Sequence, residues 1–312
     1  MKLTITEVGL RDGIQSDADF VPTADKIRLI QQLFGAGVRS VEATSFVSPQ
    51  AVPQLVDAEG VIRGLQKPAG AWVSTLTPNM RGAQRAIRAG VDELVVFLSA
   101  SESHNSKNLN RSIADSLAGI EPIVELAGAN GTQVRGAVAV AFGCPFEGDV
   151  PAKAVADIAR AFRTAGVTHL TLGDTTGMAT PAIVRRVCAE VLSAVPDVAL
   201  SLHFHNTRGM AMVNVAEGLA MGITEYESSI AGIGGCPFAP GATGNICTED
   251  MVNYMHECGH ETGIDVEKLI EVAIEMETLL GRTLPGQLMR AGPRTRLYPL
   301  DSVRTAAAQP AT

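Results

Sequence analysis

Two histidines stand one residue apart in Leu200-Ser201-Leu202-His203-Phe204-His205-Asn206. The apolar alternation around them reads as a strand, in which residues i and i+2 point to one face. His203 and His205 therefore aim together, a natural two-point grip on a metal ion. Two hydrogen-bonded core histidines are the competing reading. Near the N-terminus, Glu7-Val8-Gly9-Leu10-Arg11-Asp12-Gly13-Ile14-Gln15 ends an apolar run with a cation beside a carboxylate. The alternative there is a surface turn with an ordinary charge pair. Between Ala231 and Asn245, five glycines surround Cys236. Such a loop needs unusual backbone angles or close approach to a ligand. No Gly-Lys-Ser/Thr follows, which weakens a phosphate cradle. A flexible linker with an inert small residue competes with a lid that carries Cys236 to a substrate.

Asp12, His203, His205 and Asn245 together offer imidazole nitrogens and oxygens, with no thiolate required. A hard or borderline ion such as Mg²⁺ or Mn²⁺ suits that set. Zinc is also compatible, because two histidines and a carboxylate form a catalytic zinc set. Further polar residues fall on the strands: Glu42, Ser45, Arg135 and Asp174. Glu42 and Asp174 lie in segments that should be buried, where an unpaired carboxylate is costly. They should face Arg11, the metal ligands or a proton path, or serve only as ion pairs that orient neighbours.

The elements that must position these residues alternate regularly. Strand-like runs are 3–8, 40–46, 72–76, 93–100, 134–142, 169–175, 199–205 and 226–231. Between them lie segments with apolar residues at helical spacing: 24–35, 80–89, 112–127, 152–165, 181–194 and 212–221. Eight such repeats predict an α/β fold, a (β/α)8 TIM barrel, with active-site residues at the C-terminal strand ends. An open doubly wound sheet is the alternative. It is weakened by the lack of a Gly-x-Gly-x-x-Gly after the first strand. Helices near 248–258 and 266–280 are read as the last barrel helix plus a short helical extension. The domain reading is a barrel over 1–285 and a partly disordered tail over 286–312.

The chain has 312 residues and a formal net charge of −8 with no basic run. A nucleic-acid partner would want a basic face, so none is expected. No apolar stretch is long enough to span a bilayer, and no membrane partner is expected. The five cysteines are odd in number and include no Cys-x-x-Cys pair, which argues against a disulfide framework or structural zinc. A reducing cytoplasm is the expected location.

The segments also match a known family, in order, to about Leu280. They are Glu7-Val8-Gly9-x-Arg11-Asp12-Gly13-x-Gln15, Thr44-Ser45-Phe46-Val47-Ser48-Pro49, Leu172-Gly173-Asp174-Thr175, His203-x-His205 and the glycine loop through Cys236 to Asn245. The chain resembles 3-hydroxy-3-methylglutaryl-CoA lyase and its relatives among the metal-dependent TIM-barrel lyases. The resemblance implies a divalent cation on Asp12, His203, His205 and Asn245. It implies Arg11 at the enolate of the acetyl-CoA fragment, Cys236 in proton transfer, and Glu42 and Asp174 as acids near the substrate. Gln15, Ser45, Asn108, Arg135 and Thr171 would line the pocket for a CoA thioester. A homodimer is implied as well. The expected reaction is cleavage to acetyl-CoA and acetoacetate. Alternatives are the same chemistry on another 3-hydroxyacyl-CoA such as citramalyl-CoA, a condensing synthase, or a catalytically silent barrel. The chain departs from the family at Asn206, where Asp is usual, at Arg208, where Tyr is expected, at Thr171, where Ser is usual, and at Ser16-Asp17-Ala18.

Overall fold

A computed structural model describes residues 1–235 and 244–300. Eight parallel strands close into a barrel in sequential order: β1 (Thr4–Glu7), β2 (Ser40–Ser45), β3 (Trp72–Leu76), β4 (Glu93–Ser99), β5 (Gln133–Ala139), β6 (His169–Asp174), β7 (Ala199–Phe204) and β8 (Glu225–Ser228). β1 pairs with both β2 and β8, which seals the ring. The expected TIM barrel is therefore the fold.

Alternation along each strand divides the core. On β7, Leu202 points outward: a Cβ added at Gly218 of the following helix would come within 2.8 Å of its Cδ1. Phe204 also faces out and packs on Phe142, with ring centroids 5.8 Å apart. Removing each such side chain from water contributes roughly 1.5–3 kcal/mol. The intervening Ser201 and His203 are left to the barrel interior, which is polar and charged.

Helices α1 (Thr23–Gly35), α2 (Ala58–Gly64) and α3 (Met80–Ala89) follow the first three strands. α3 stops at Gly90, whose φ of 93° is the left-handed cap that only glycine adopts without strain. After β4 comes α4 (Glu102–Leu109), which periodicity does not predict, and the helix predicted over 112–127 is instead two, α5 (Ile113–Ala118) and α6 (Ile120–Ala129). Ser101 and Ser112 cap the first two of these with their hydroxyls, and polar caps outweigh the weak apolar periodicity of α4. Then come α7 (Ala152–Thr164), α8 (Pro181–Ala194), α9 (Ala211–Ala220), α10 (Thr248–Glu257) and α11 (Val266–Leu280).

Two strands, β5 and β8, end three residues earlier than periodicity predicts. β5 stops at Ala139 because Val140 turns to φ 51°, held by a hydrogen bond from its N–H to Thr175 Oγ1 at 3.1 Å. β8 stops at Ser228, and the chain turns through Ala231 at φ 55°. A β-branched residue at positive φ is strained, and such strain concentrates near functional sites. The segment after Pro285 also departs from a plain tail. It forms α12 (Leu288–Ala291), with Leu288 and Met289 buried in the core. Residues from 301 onward lie outside the described residues.

Candidate metal centre and active site

The site begins with a turn. After β1 the chain winds through one π-helical turn, Gly9–Gly13. The Val8 carbonyl accepts from the N–H groups of Arg11, Asp12 and Gly13 at 3.0, 2.7 and 3.3 Å. This wide turn buries both Arg11 and Asp12 at the C-terminal end of the barrel. Gly13 is required there, because a Cβ would lie 2.5 Å from Ile233 Cγ1. The alternative of a surface charge pair is excluded by this burial.

Asp12 meets the histidines of β7. Ligand atoms of Asp12, His203 and His205 all lie within 4.8 Å of one another. His203 Nε2 and His205 Nε2 stand 3.9 and 3.8 Å from Asp12 Oδ2. Asn245 joins them through a short bridge with the His205 backbone, and its Nδ2 donates to Asp12 Oδ2 at 2.8 Å. Asn245 Oδ1 is buried without a hydrogen-bond partner. An orphaned amide oxygen beside two imidazoles and a carboxylate is what a divalent cation needs. The donor set fits the ion that the sequence implied.

Electrostatics agree. Burial opposes ionisation of Asp12, but Arg11, the two histidines and the Asn245 hydrogen bond hold its carboxyl well below the usual range. Burial and the neighbouring His203 push His205 down to about 4, so its ring is neutral and able to ligate. His203 goes the other way: burial would lower it, yet Glu227 and Asp12 keep it above the ordinary imidazole value.

Arg11 is clamped beside the centre. Its Nη1 donates to Asp12 Oδ1 at 2.6 Å, and its Nε lies 2.5 Å from Glu42 Oε1. Gln15 donates to the same Asp12 oxygen at 2.9 Å. Asp174, at the end of β6, accepts from the Met178 and Ala179 N–H groups through Oδ1, at 2.7 and 3.0 Å. Its Oδ2 is buried without a partner. Burial pushes this carboxyl up to about 7, against those two backbone hydrogen bonds.

The remaining expected residues are dispersed. Ser45 is buried at the end of β2 and donates to the Leu76 carbonyl at 3.2 Å. Asn108 is exposed on α4. Thr171 and Arg135 sit lower in the barrel, both donating to Glu227, at 2.7 and 3.2 Å. Cys236 lies outside the described residues. The departures from the family also have places. Asn206 Oδ1 accepts from the Ala211 N–H at the start of α9, at 3.2 Å. Arg208 is exposed, and its Nη1 donates to the carbonyls of Thr176 and Gly177 at 2.8 and 2.9 Å, so its charge ties down the loop after Asp174.

Sequence reasoning missed Glu227, Glu7 and Glu249 as parts of the site's frame. Glu7 accepts from Gly9 N–H at 2.7 Å, Ile230 N–H at 2.9 Å and Thr248 Oγ1 at 2.5 Å, which ties the π turn to the end of β8. Glu249 accepts from the next amide, Ala231 N–H, at 2.9 Å. The available signal was Glu225-Tyr226-Glu227, with acids at i and i+2 on a short strand, which must face one side together.

A cavity of about 700 Å³ opens at the opposite, N-terminal end of the barrel, lined by Lys2, Trp72, Glu93 and His169 among others. It lies away from the strand ends where this fold places its chemistry.

The family model described as HMGL-like matches residues 2–275. Hydroxymethylglutaryl-CoA lyase YngG of Bacillus subtilis (strain 168) is 41% identical over 286 residues, covering 92% of this chain and 96% of the relative. A Pseudomonas aeruginosa relative, 3-hydroxy-3-isohexenylglutaryl-CoA/hydroxy-methylglutaryl-CoA lyase, is 39% identical over 90% of this chain and 94% of its own. Among solved structures, an HMG-CoA lyase from Acinetobacter baumannii, in complex with coenzyme A and 3-methylmalate, superposes with a TM-score of 0.91 at 44% identity. That match covers 96% of this chain and 98% of the neighbour. With the family model matched over residues 2–275 and a relative 41% identical over 92% of the chain, the chain belongs to the HMGL-like family.

Proposed function

We propose that the chain is a divalent-metal-dependent carbon–carbon lyase that cleaves 3-hydroxy-3-methylglutaryl-CoA to acetyl-CoA and acetoacetate. The observation that carries the reading is the convergence of Asp12, His203 and His205 within 4.8 Å, at the barrel end that also holds Arg11. Relatives named as lyases of this thioester, at about 40% identity over most of the chain, support it.

Asp12, His203, His205 and Asn245 hold the cation, with Mg²⁺ or Mn²⁺ suiting the nitrogen and oxygen donors. A cation held there would supply Lewis acidity that makes a substrate hydroxyl easier to deprotonate. The chain's own groups do the rest. Asp174 Oδ2, buried and unpartnered with its carboxyl pushed up to about 7, is suited to take the tertiary hydroxyl proton. The bond between the second and third substrate carbons then breaks, and its electron pair becomes a thioester enolate. Arg11, fixed by Glu42 and Asp12, presents a permanent positive charge where that enolate forms. Protonation of the enolate carbon, with the Cys236 thiol as donor or shuttle, yields acetyl-CoA. Gln15 and Ser45 line the substrate's approach. The reading includes a homodimer in the cytoplasm, supported by the family resemblance. Among the described residues, no helix is long and apolar enough to cross a membrane.

The test is turnover of 3-hydroxy-3-methylglutaryl-CoA with Mg²⁺ or Mn²⁺, with EDTA as control and citramalyl-CoA and 3-hydroxy-3-isohexenylglutaryl-CoA as alternative substrates. Cation-dependent release of acetyl-CoA and acetoacetate is expected. Cleavage of an alternative substrate alone would keep the reaction class and overturn the substrate. No turnover of any thioester would leave a silent barrel.

A further inference from the structure

Beneath the metal ligands, the barrel interior contains a column of paired charges that the proposed reaction does not use. His203 Nδ1 lies 3.0 Å from Glu227 Oε2. The other Glu227 oxygen accepts from Thr171 Oγ1 at 2.7 Å and from Arg135 Nη1 at 3.2 Å. Arg135 is anchored in turn, its Nε donating to Glu93 Oε2 at 3.0 Å. All of these side chains are buried.

From this geometry we infer that Glu227 is the positioning residue of the metal centre, fixing the ring and tautomer of His203, with Thr171 and Arg135 holding Glu227 in place. The inference rests on the reading that Asp12, His203, His205 and Asn245 bind a divalent cation.

The physical argument is one of proton placement. A histidine that ligates a metal must be neutral, whatever its value in the cation-free protein, and a neutral imidazole carries its single proton on one nitrogen and a lone pair on the other. An ionised carboxylate only accepts, so the nitrogen facing Glu227 must carry the proton. His203 Nδ1 is then the donor, and the Nε2 lone pair is directed toward Asp12 and the cation. Without an acceptor at Glu227, the ring is free to rotate or to take the other tautomer. Metal-binding histidines commonly depend on such a carboxylate, and its loss weakens metal binding.

Thr171 and Arg135 acquire roles different from those the family resemblance implied. Strand register places Arg135 opposite His169 and Thr171 opposite Ser201, whereas His203 pairs with Glu227 nearer the mouth. Both lie deeper in the barrel than the ligands and donate to the carboxylate rather than lining the mouth. Thr171 replaces the family's Ser and keeps the one hydroxyl this role requires. The structure offers no reason for the additional methyl.

The test is Mn²⁺ binding without substrate, followed by electron paramagnetic resonance of the free ion. It is paired with ¹⁵N-histidine NMR of the Mg²⁺-loaded protein. Glu227→Leu, which removes the acceptor, should weaken Mn²⁺ binding about 10- to 100-fold. It should also abolish the single Nδ1-protonated signature of His203. Glu227→Gln retains an acceptor oxygen and should restore most of the affinity. If Glu227→Leu does not fold, Thr171→Val should weaken binding and Thr171→Ser should return it to the wild-type value. Wild-type protein that binds no Mn²⁺ would overturn the metal reading itself. Wild-type binding with a Glu227→Leu, or failing that a Thr171→Val, affinity within about twofold of it would overturn the positioning role alone.

Discussion

Arg11 and Glu42 meet across the first two strands of the barrel, with Arg11 Nε 2.5 Å from Glu42 Oε1 and neither side chain more than 10% exposed. Arg11 therefore arrives with its charge already oriented, and substrate binding need not arrange it. Arg11→Met should lower kcat at least ~100-fold, because its charge matters most when the enolate forms. Mn²⁺ binding should survive, since none of the proposed ligands is removed. The same substitution leaves a buried carboxylate unpaired and should destabilise the cation-free protein by about 3 kcal/mol. The double variant Arg11→Met/Glu42→Gln should recover much of that loss without recovering turnover. Urea unfolding of the two variants checks the point, and additive losses would refute the coupling.

Removal of the cation by EDTA should abolish turnover, with recovery on adding Mg²⁺ or Mn²⁺. Asp12→Asn takes away the one carboxylate in the cluster and leaves Arg11 Nη1 with a weaker acceptor. It should reduce Mn²⁺ binding beyond detection in an equilibrium titration at millimolar metal. Stoichiometric binding to this variant would place the ion elsewhere.

Asp174 has to be ionised to accept a proton, and burial pushes it up to about 7. Below that value it is protonated and idle. kcat/KM should therefore rise with pH through about 7 and level off above it. Asp174→Asn should lower kcat and remove this limb of the profile. An unchanged acid limb in that variant would assign the titration to another group.

Glu7 and Glu249 give a separate pH dependence, in stability. Burial raises their carboxyls to about 7 and about 8, from an ordinary value of 4.5. Between 4.5 and those values the folded chain holds protons that the unfolded chain has released. Stability must then fall as pH rises through this window. Asp12 and Glu227, held low, act in the opposite sense only at more acidic pH; His205, pushed down to about 4, opposes the fall up to its ordinary 6.5, and Asp174, raised to about 7, adds to it. Denaturant midpoints of the cation-free protein should decrease between about pH 5 and about pH 8, and Glu249→Gln should lessen the decrease. A rising midpoint over that interval would contradict the assignment.

Much of the site was legible because its residues follow local rules. The His-x-His spacing on a strand fixes a shared face, and Arg11-Asp12 closes an apolar run flanked by glycines. What periodicity could not supply were the strained ends of β5 and β8, where Val140 and Ala231 adopt positive φ. Nothing in their side chains asks for it; contacts from other elements impose it. Cys236 remains an expectation from sequence.

The sequence by itself determined the eightfold alternation, the parallel barrel and the shared face of His203 and His205, because each depends on side-chain types at short, regular spacing. Only the tertiary structure decided which polar side chain pairs with which. Glu227 meets His203 across 24 residues of chain, and Asn245 meets Asp12 across 233. Spacing along the chain carries no information about such pairings. They exist because closing the barrel brings the ends of β1, β7 and β8 to one axis, where buried charges must find partners.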